Sequence, residues 1–187
     1  MKRLLNEIHQ CRLCENHLEP RPVIQASPTA RLLIIGQAPG RRVHETGLPF
    51  NDPSGDRLRE WMGVDRDTFY DASRIAIMPM GLCYPGKGRS GDRPPRPECA
   101  PLWHPPVLEE LRQVSCILLI GQYAQKAYLS DWPGSVTGAV ENWRAHWPTR
   151  IPLVHPSPRN RLWLRRHPWF ESEVVPALRA HVQSLLI

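Results

Sequence analysis

Four short apolar runs constrain what this chain can fold into more than any other feature. They are Arg31–Gly36 (RLLIIG), Arg74–Met78 (RIAIM), Cys116–Gly121 (CILLIG) and Ile151–His155 (IPLVH). Each has strand length and is almost continuously hydrophobic rather than alternating. Each therefore reads as a strand covered on both faces. Stretches with helical spacing lie between them. Ser54 is a candidate cap for a helix over Asp56–Met62, and Pro106–Val114 and Gln122–Ser130 follow. A last helix is predicted from about Trp169 to Ser184, with Val174, Val175, Leu178, Val182 and Leu185 on one face. Strands alternating with helices imply a three-layer α/β/α sandwich around a central, mostly parallel four-stranded sheet. The 187 residues suit one domain spanning 1–187, with no internal repeat and no dividing linker.

Composition narrows the function classes. Hydrophobic residues at 41% and charged residues at 22% fit an ordinary globular protein and argue against disorder. The 21 prolines are scattered between apolar runs, so they read as rigid loops. No apolar stretch approaches the ~20 residues that cross a bilayer. Met1-Lys2-Arg3-Leu4-Leu5-Asn6-Glu7 lacks the apolar run of a signal peptide. A cytoplasmic location and no membrane partner are expected. Lys and Arg outnumber Asp and Glu by 24 to 18, a net charge of +6, which makes nucleic acid a reasonable partner. No obligate protein partner is inferred, and a monomer is the simple expectation.

Three of the predicted strands end in loops with chemical character. The first is Gly36-Gln37-Ala38-Pro39-Gly40, continuing to Gly47-Leu48-Pro49-Phe50-Asn51-Asp52. The second is Met80-Gly81-Leu82-Cys83, and the third is His155-Pro156-Ser157-Pro158-Arg159-Asn160. Ligand sites in parallel sheets form at the strands' carboxyl ends, so these loops are expected to share one site. A neutral imidazole at His155 can donate a hydrogen bond to an oxygen that gains charge.

Of the five cysteines, Cys11 and Cys14 form a C-x-x-C pair, and Cys83 and Cys99 follow. Four thiolates suit zinc or a [4Fe–4S] cluster equally well. Cys116 opens a strand and reads as buried core.

The first and last loops together resemble the uracil-DNA glycosylase superfamily. Its first motif, Gly-Gln/Glu-x-Pro-Gly/Tyr, is similar to Gly36–Gly40, and its last, His-Pro-Ser, is similar to His155–Ser157. The resemblance implies that Gly36, Gln37, Ala38, Gly40 and Phe50 bind a flipped base, Phe50 by stacking. It implies that His155 stabilises the departing base. It also implies that Cys11, Cys14, Cys83 and Cys99 hold a [4Fe–4S] cluster, as in families four and five.

The departures are specific. Ala38 stands where the classical enzymes carry an aspartate, and Gln37 where family four carries a glutamate. The family-five pattern Asp-x-Ser-Gly-Asp resembles Asp52–Asp56, which makes Asp52 the candidate catalytic carboxylate. Its plainer reading is a turn residue, with Asp56 a first-turn helix charge. Ile77–Gly81 lacks the asparagine that usually reads uracil, and Gly40 replaces a tyrosine, so a roomier cavity is expected. His44 reads as a rim residue or DNA contact.

Ser157, Arg159, Asn160, Arg161 and Leu162 are the candidate DNA contacts, with Leu162 the side chain that fills the gap left by the base. Arg165 and Arg166 extend this run, and Arg89, Arg93 and Arg96 form a second. The leading expectation is a base-excision glycosylase. The alternatives are a catalytically weak DNA-binding protein with the same fold and a zinc-stabilised enzyme acting on free nucleotides.

Overall fold

The computed structural model describes residues 1–186. In chain order the elements are α1 (Lys2–His9), β1 (Leu32–Ile35), α2 (Arg41–Thr46), α3 (Pro53–Met62), α4 (Arg66–Tyr70), β2 (Ile75–Ile77) and α5 (Cys99–Glu110). They continue with β3 (Cys116–Ile120), α6 (Gly121–Tyr128), α7 (Val136–Glu141), α8 (Trp143–His146), β4 (Arg150–Leu153), α9 (Arg161–Arg166) and α10 (Val175–Leu185). A 3-10 turn over Pro158–Asn160 precedes α9, and a π-helical turn over Phe170–Val174 leads into α10.

The four predicted strands all form, and every pairing between them is parallel, in the order β2-β1-β3-β4. Both faces of the sheet are covered, which is why its strands are apolar throughout. Along β1 the side chains alternate between two cores. Leu32 and Ile34 pack with α3, α4 and α10, through Leu58, Met62, Phe69 and Leu178. Leu33 and Ile35 pack with α1, α5 and α6, through Ile8, Val107 and Ala124. The result is the expected α/β/α sandwich. The chain leaves β1 towards β2 and later crosses back to β3. The order therefore reverses between β1 and β3, and a crevice opens at their carboxyl ends. Among the described residues no helix is long and apolar enough to cross a membrane.

Two helix boundaries differ from expectation for identifiable reasons. The helix expected over Asp56–Met62 starts at Pro53, and its cap is Asp52 rather than Ser54. Asp52 Oδ1 accepts the Gly55 N–H at 2.9 Å, and proline suits the first turn, where no donor is needed. The helix expected to begin at Pro106 begins at Cys99 and carries Pro105 and Pro106 in its interior. The helix α1 and the short helices α2, α4 and α7–α9 were not expected.

Two glutamines, Gln25 half-buried and Gln125 fully buried, brace the sheet. Gln25 Nε2 donates to the carbonyls of Phe69 and Ile75, at 3.0 and 2.8 Å. Gln125 Nε2, fully buried in α6, donates to the carbonyls of Leu119 and Leu153, at 3.1 and 2.9 Å. The second pair joins β3 to β4 two residues before His155. Replacing Gln125 with leucine would leave two buried carbonyls unpaired. The expected cost is about 1–3 kcal/mol of stability, read by chemical denaturation. An unchanged midpoint would contradict this role.

Candidate active site

A cavity of about 480 Å³ opens at the carboxyl end of the sheet. That volume lies within the ~300–1,000 Å³ of small-molecule sites. Its wall includes Gly36, Gln37, Ala38 and Gly40 from the loop after β1, and Phe50, Asp52 and Ser54 at the start of α3. Asp92 comes from the long loop after β2, and His155, Ser157, Arg159 and Asn160 follow β4. The turn at Gln37, the carboxylate at Asp52 and the imidazole at His155 thus share one cavity. A second lobe of about 300 Å³ adjoins it, also walled by Gln37, His155 and Asn160, and closed by Gly121 and Trp163.

Phe50 is held in an unusual backbone conformation, with φ +53°. Such a φ is strained for an aromatic residue and persists only when neighbours fix it. Here they do. Gly55 packs directly beneath: a β-carbon there would lie 1.7 Å from the Phe50 carbonyl oxygen. The buried Arg59 donates to that same oxygen at 3.4 Å and pairs with Asp56 at 2.5 Å. The Arg59 guanidinium also lies 5.1 Å from the centre of the Phe69 ring, and Phe69 meets Phe50 edge-on at 6.2 Å. Asp56, read from sequence as a first-turn charge, thus anchors the arginine under Phe50. The Phe50 ring edge faces Gly36, where a β-carbon would come within 3.5 Å.

Asp52 is both a helix cap and a cavity-lining carboxylate. Its Oδ1 caps α3, and its side chain also lines the cavity, where its charge acts on His155. His155 Nδ1 accepts the Ser157 N–H at 3.2 Å, and Asn160 Nδ2 donates to the His155 carbonyl at 2.7 Å. With Nδ1 an acceptor, the proton of the neutral ring resides on Nε2. Burial pushes the imidazole below the ordinary histidine value of 6.5, against the opposing pull of Asp52 and Asp92. His155 is therefore a neutral hydrogen-bond donor at neutral pH.

Ser157 and Asn160 build this loop as well as lining the cavity. The Ser157 hydroxyl accepts the Arg159 N–H at 3.2 Å. Arg159 lines the opening; Arg161, Arg165 and Arg166 are exposed on α9 that follows it, and Leu162 there is 55% exposed. His44 lies outside the cavity. It packs against Tyr84 and contacts Glu19 at 3.2 Å in a separate groove shared with Arg21, Arg41 and Arg93.

Sequence reasoning missed Asp92, which sits in a proline- and glycine-rich loop with no motif around it. Its Oδ2 lies 3.8 Å from where a β-carbon on Gly40 would stand. The room expected from Gly40 is therefore partly taken by a carboxylate.

Cys11, Cys14, Cys83 and Cys99 gather around a second, much smaller cavity of about 20 Å³, with Leu18, Pro22, Leu82 and Trp103. Among the described residues no three Cys, His, Asp or Glu side chains form a ready site for one metal ion. Burial, with the neighbouring thiols adding to it, pushes Cys83 and Cys99 up to about 11. The Cys99 sulfur accepts the Leu82 N–H at 3.3 Å. Arg96, expected in a basic DNA-facing stretch, instead lines this cavity and pairs with Glu98 at 2.6 Å. Its buried Nε has no partner. Cys116 is fully buried core, as expected.

Two measurements check this geometry. Gly55→Ala should force the Phe50 carbonyl aside, costing about 1–3 kcal/mol in denaturation, together with loss of ligand affinity. Retained stability would contradict the packing. An NMR titration of the His155 ring protons should give a midpoint below 6.5. Activity that needs the neutral ring should then persist at neutral pH and fall only as pH drops through that lowered value. A midpoint above 6.5 would contradict the burial argument.

The arrangement has a counterpart among known families. A family model described as the uracil DNA glycosylase superfamily matches residues 24–179, which hold the whole sheet and every residue of the large cavity except Val23. The chain belongs to the uracil DNA glycosylase superfamily.

Proposed function

We propose that this protein flips a deaminated or damaged base, uracil or another, out of DNA and hydrolyses its N-glycosidic bond, as a step of base excision repair. One observation carries this reading: an aromatic ring, a carboxylate and a neutral imidazole wall a single base-sized cavity beside exposed arginines. Cleavage leaves positive charge on the sugar and negative charge on the base. Asp52 stabilises the sugar cation or orients the attacking water, whose hydroxyl bonds to the sugar carbon as the bond to the base breaks, and whose proton ends on the departed base. His155 Nε2–H donates to the base oxygen as charge develops there. Phe50 stacks on the base, and the enclosing walls offset its unstacking from the duplex. The arginines after His155 neutralise phosphates, and Leu162 enters the gap left behind.

The cap held by Asp52 favours one competing reading, a DNA-binding protein with weak catalysis. Asp52→Asn separates the two, because asparagine also caps helices well. Under the glycosylase reading, Asp52→Asn and His155→Ala each lower excision by about 10²–10⁴-fold while DNA affinity survives. Leu162→Ala should lose more on duplex than on single-stranded substrate. Oligonucleotides bearing uracil, hypoxanthine and ethenocytosine provide the panel. No excision of any base by the native protein would leave the DNA-binding reading standing.

We also propose that Cys11, Cys14, Cys83 and Cys99 hold a [4Fe–4S] cluster, as the resemblance to families four and five implies. The donor set fits. Four thiols ring one apolar cavity, and the unpartnered Nε of Arg96 at its wall suits an anionic sulfur-rich occupant. Four thiolates suit zinc as well as a cluster, and the choice of the cluster rests on the resemblance. Such a cluster supplies a structural cross-link between the N-terminal turn, the loop after β2 and α5. Purified protein should be brown, with about four irons per chain and matching acid-labile sulfide. Colourless protein with one bound zinc would overturn the cluster but keep the four-thiolate site.

A further inference from the structure

Several hydrogen-bonding groups of the large cavity are already tied by one of their atoms. The Gln37 amide is tied through Nε2 to the Arg93 carbonyl at 3.1 Å. Asp52 Oδ1 is occupied by its helix cap and His155 Nδ1 by the Ser157 amide. The second strand contributes only Ile77 and the following Pro79. Asp92 adds a second carboxylate to the lining, beside Gly40. Its Oδ1 lies 3.5 Å from the Tyr84 hydroxyl, and its Oδ2 has no hydrogen-bond partner among the described residues. That free oxygen stands over Gly40, 3.8 Å from the place of a β-carbon.

Asp92 is itself exposed, and the loop that carries it is tied by backbone hydrogen bonds. Its loop folds into a small hairpin, with Lys87 bridging to Asp92 and Gly88 N–H donating to the Gly91 carbonyl at 2.6 Å. Arg93 N–H donates to the Gly86 carbonyl at 2.8 Å. Gly86 and Gly91, at φ +88° and +144°, adopt turns that other residues resist. Across the opening, Gly91 approaches Arg159, whose Nη1 would be 3.3 Å from a β-carbon there. The hairpin thus sets Asp92 between the Gly40 wall and the arginine rim.

We propose that Asp92 is a specificity-determining residue that reads the flipped base, its carboxylate accepting a hydrogen bond from a ring or exocyclic N–H. An ionised carboxylate only accepts, so a base that turns a carbonyl or a bare carbon edge to it leaves it unpaired. A site built around a hydrogen bond discriminates against analogues that lack the donor. Asp92 takes up the base-reading role that no side chain of the second strand fills. This inference rests on the glycosylase reading of the same cavity.

The test compares native protein, Asp92→Asn and Asp92→Ala on duplexes carrying hypoxanthine or uracil, which have a ring N–H, and ethenocytosine, which has none on that edge. Both variants should lower kcat/KM on the N–H-bearing bases by about tenfold, the size of one charge-assisted hydrogen bond partly exposed to water. Excision of ethenocytosine should not fall. An equal fall on all three bases, no change on any, or native activity on ethenocytosine alone would overturn the assignment. Equilibrium binding to duplexes with the same bases on cleavage-resistant 2′-fluoro sugars provides the second readout. If the native protein cleaves nothing, the glycosylase reading fails, and the Asp92 assignment stands or falls on whether these variants abolish the binding preference for N–H-bearing bases.

Discussion

The hydrogen-bond ladder between the first two strands does not stop where the strands end, and the rest of the site depends on that continuation. Met78 N–H donates to Ile34, Met80 to Gly36 and Gly81 to Gln37, each at 2.9 Å. The loops after β1 and β2 are thereby zipped together beyond the sheet. One side of the joined strip carries Gln37, Ala38 and Gly40 into the large cavity. The other side runs on to Leu82 and Cys83, where Leu82 N–H meets the Cys99 sulfur and the Leu82 carbonyl accepts the Val23 N–H. The base-sized cavity and the thiol-lined cavity are two faces of one hydrogen-bonded strip. Gly81 has little freedom within it, since a β-carbon would come within 2.8 Å of Pro95.

The electrostatics of the large cavity follow from which groups the backbone has already satisfied. His155 is fixed as a neutral Nε2–H donor because a backbone amide occupies Nδ1 and burial disfavours its charge. Asp52 keeps one oxygen on its helix, so the same hydrogen bond that starts α3 also orients the carboxylate. Among the lining residues positive charge is carried by Arg159, which is exposed and stays solvated. A buried cation there would lose that solvation.

A different logic governs the N-terminal turn. Cys11 and Cys14 precede the region matched to the superfamily, yet they meet Cys83 and Cys99 from within it. Little apolar surface holds that turn: Cys11, Cys14 and Leu18 are only part-buried, and Leu13 is 58% exposed. A bonded group shared by the four sulfurs would supply the fastening that packing does not.

Much of this molecule was legible in its residues. Four unbroken apolar runs could only be strands sandwiched between helices, because leaving either face wet would expose them. Their carboxyl-end loops had to neighbour one another, because parallel strands end on the same side of the sheet. That reasoning brought the loops of Gln37 and His155 together, whereas Phe50, Asp52 and the four cysteines were singled out by motif and resemblance. It did not reach the cap of α3, because Asp52, Ser54 and Asp56 all have capping side chains and only the turn geometry selects among them. Nor did it reach Asp92, Arg59 or Gln125. Each meets partners in other elements or turns of the fold, and nothing in its local pattern marks it. Sequence determined the layers and the site's location through hydrophobic burial, which is written in local periodicity. Tertiary structure alone decided which polar atoms remain free inside the cavity, because that depends on which partners the folded backbone has already supplied.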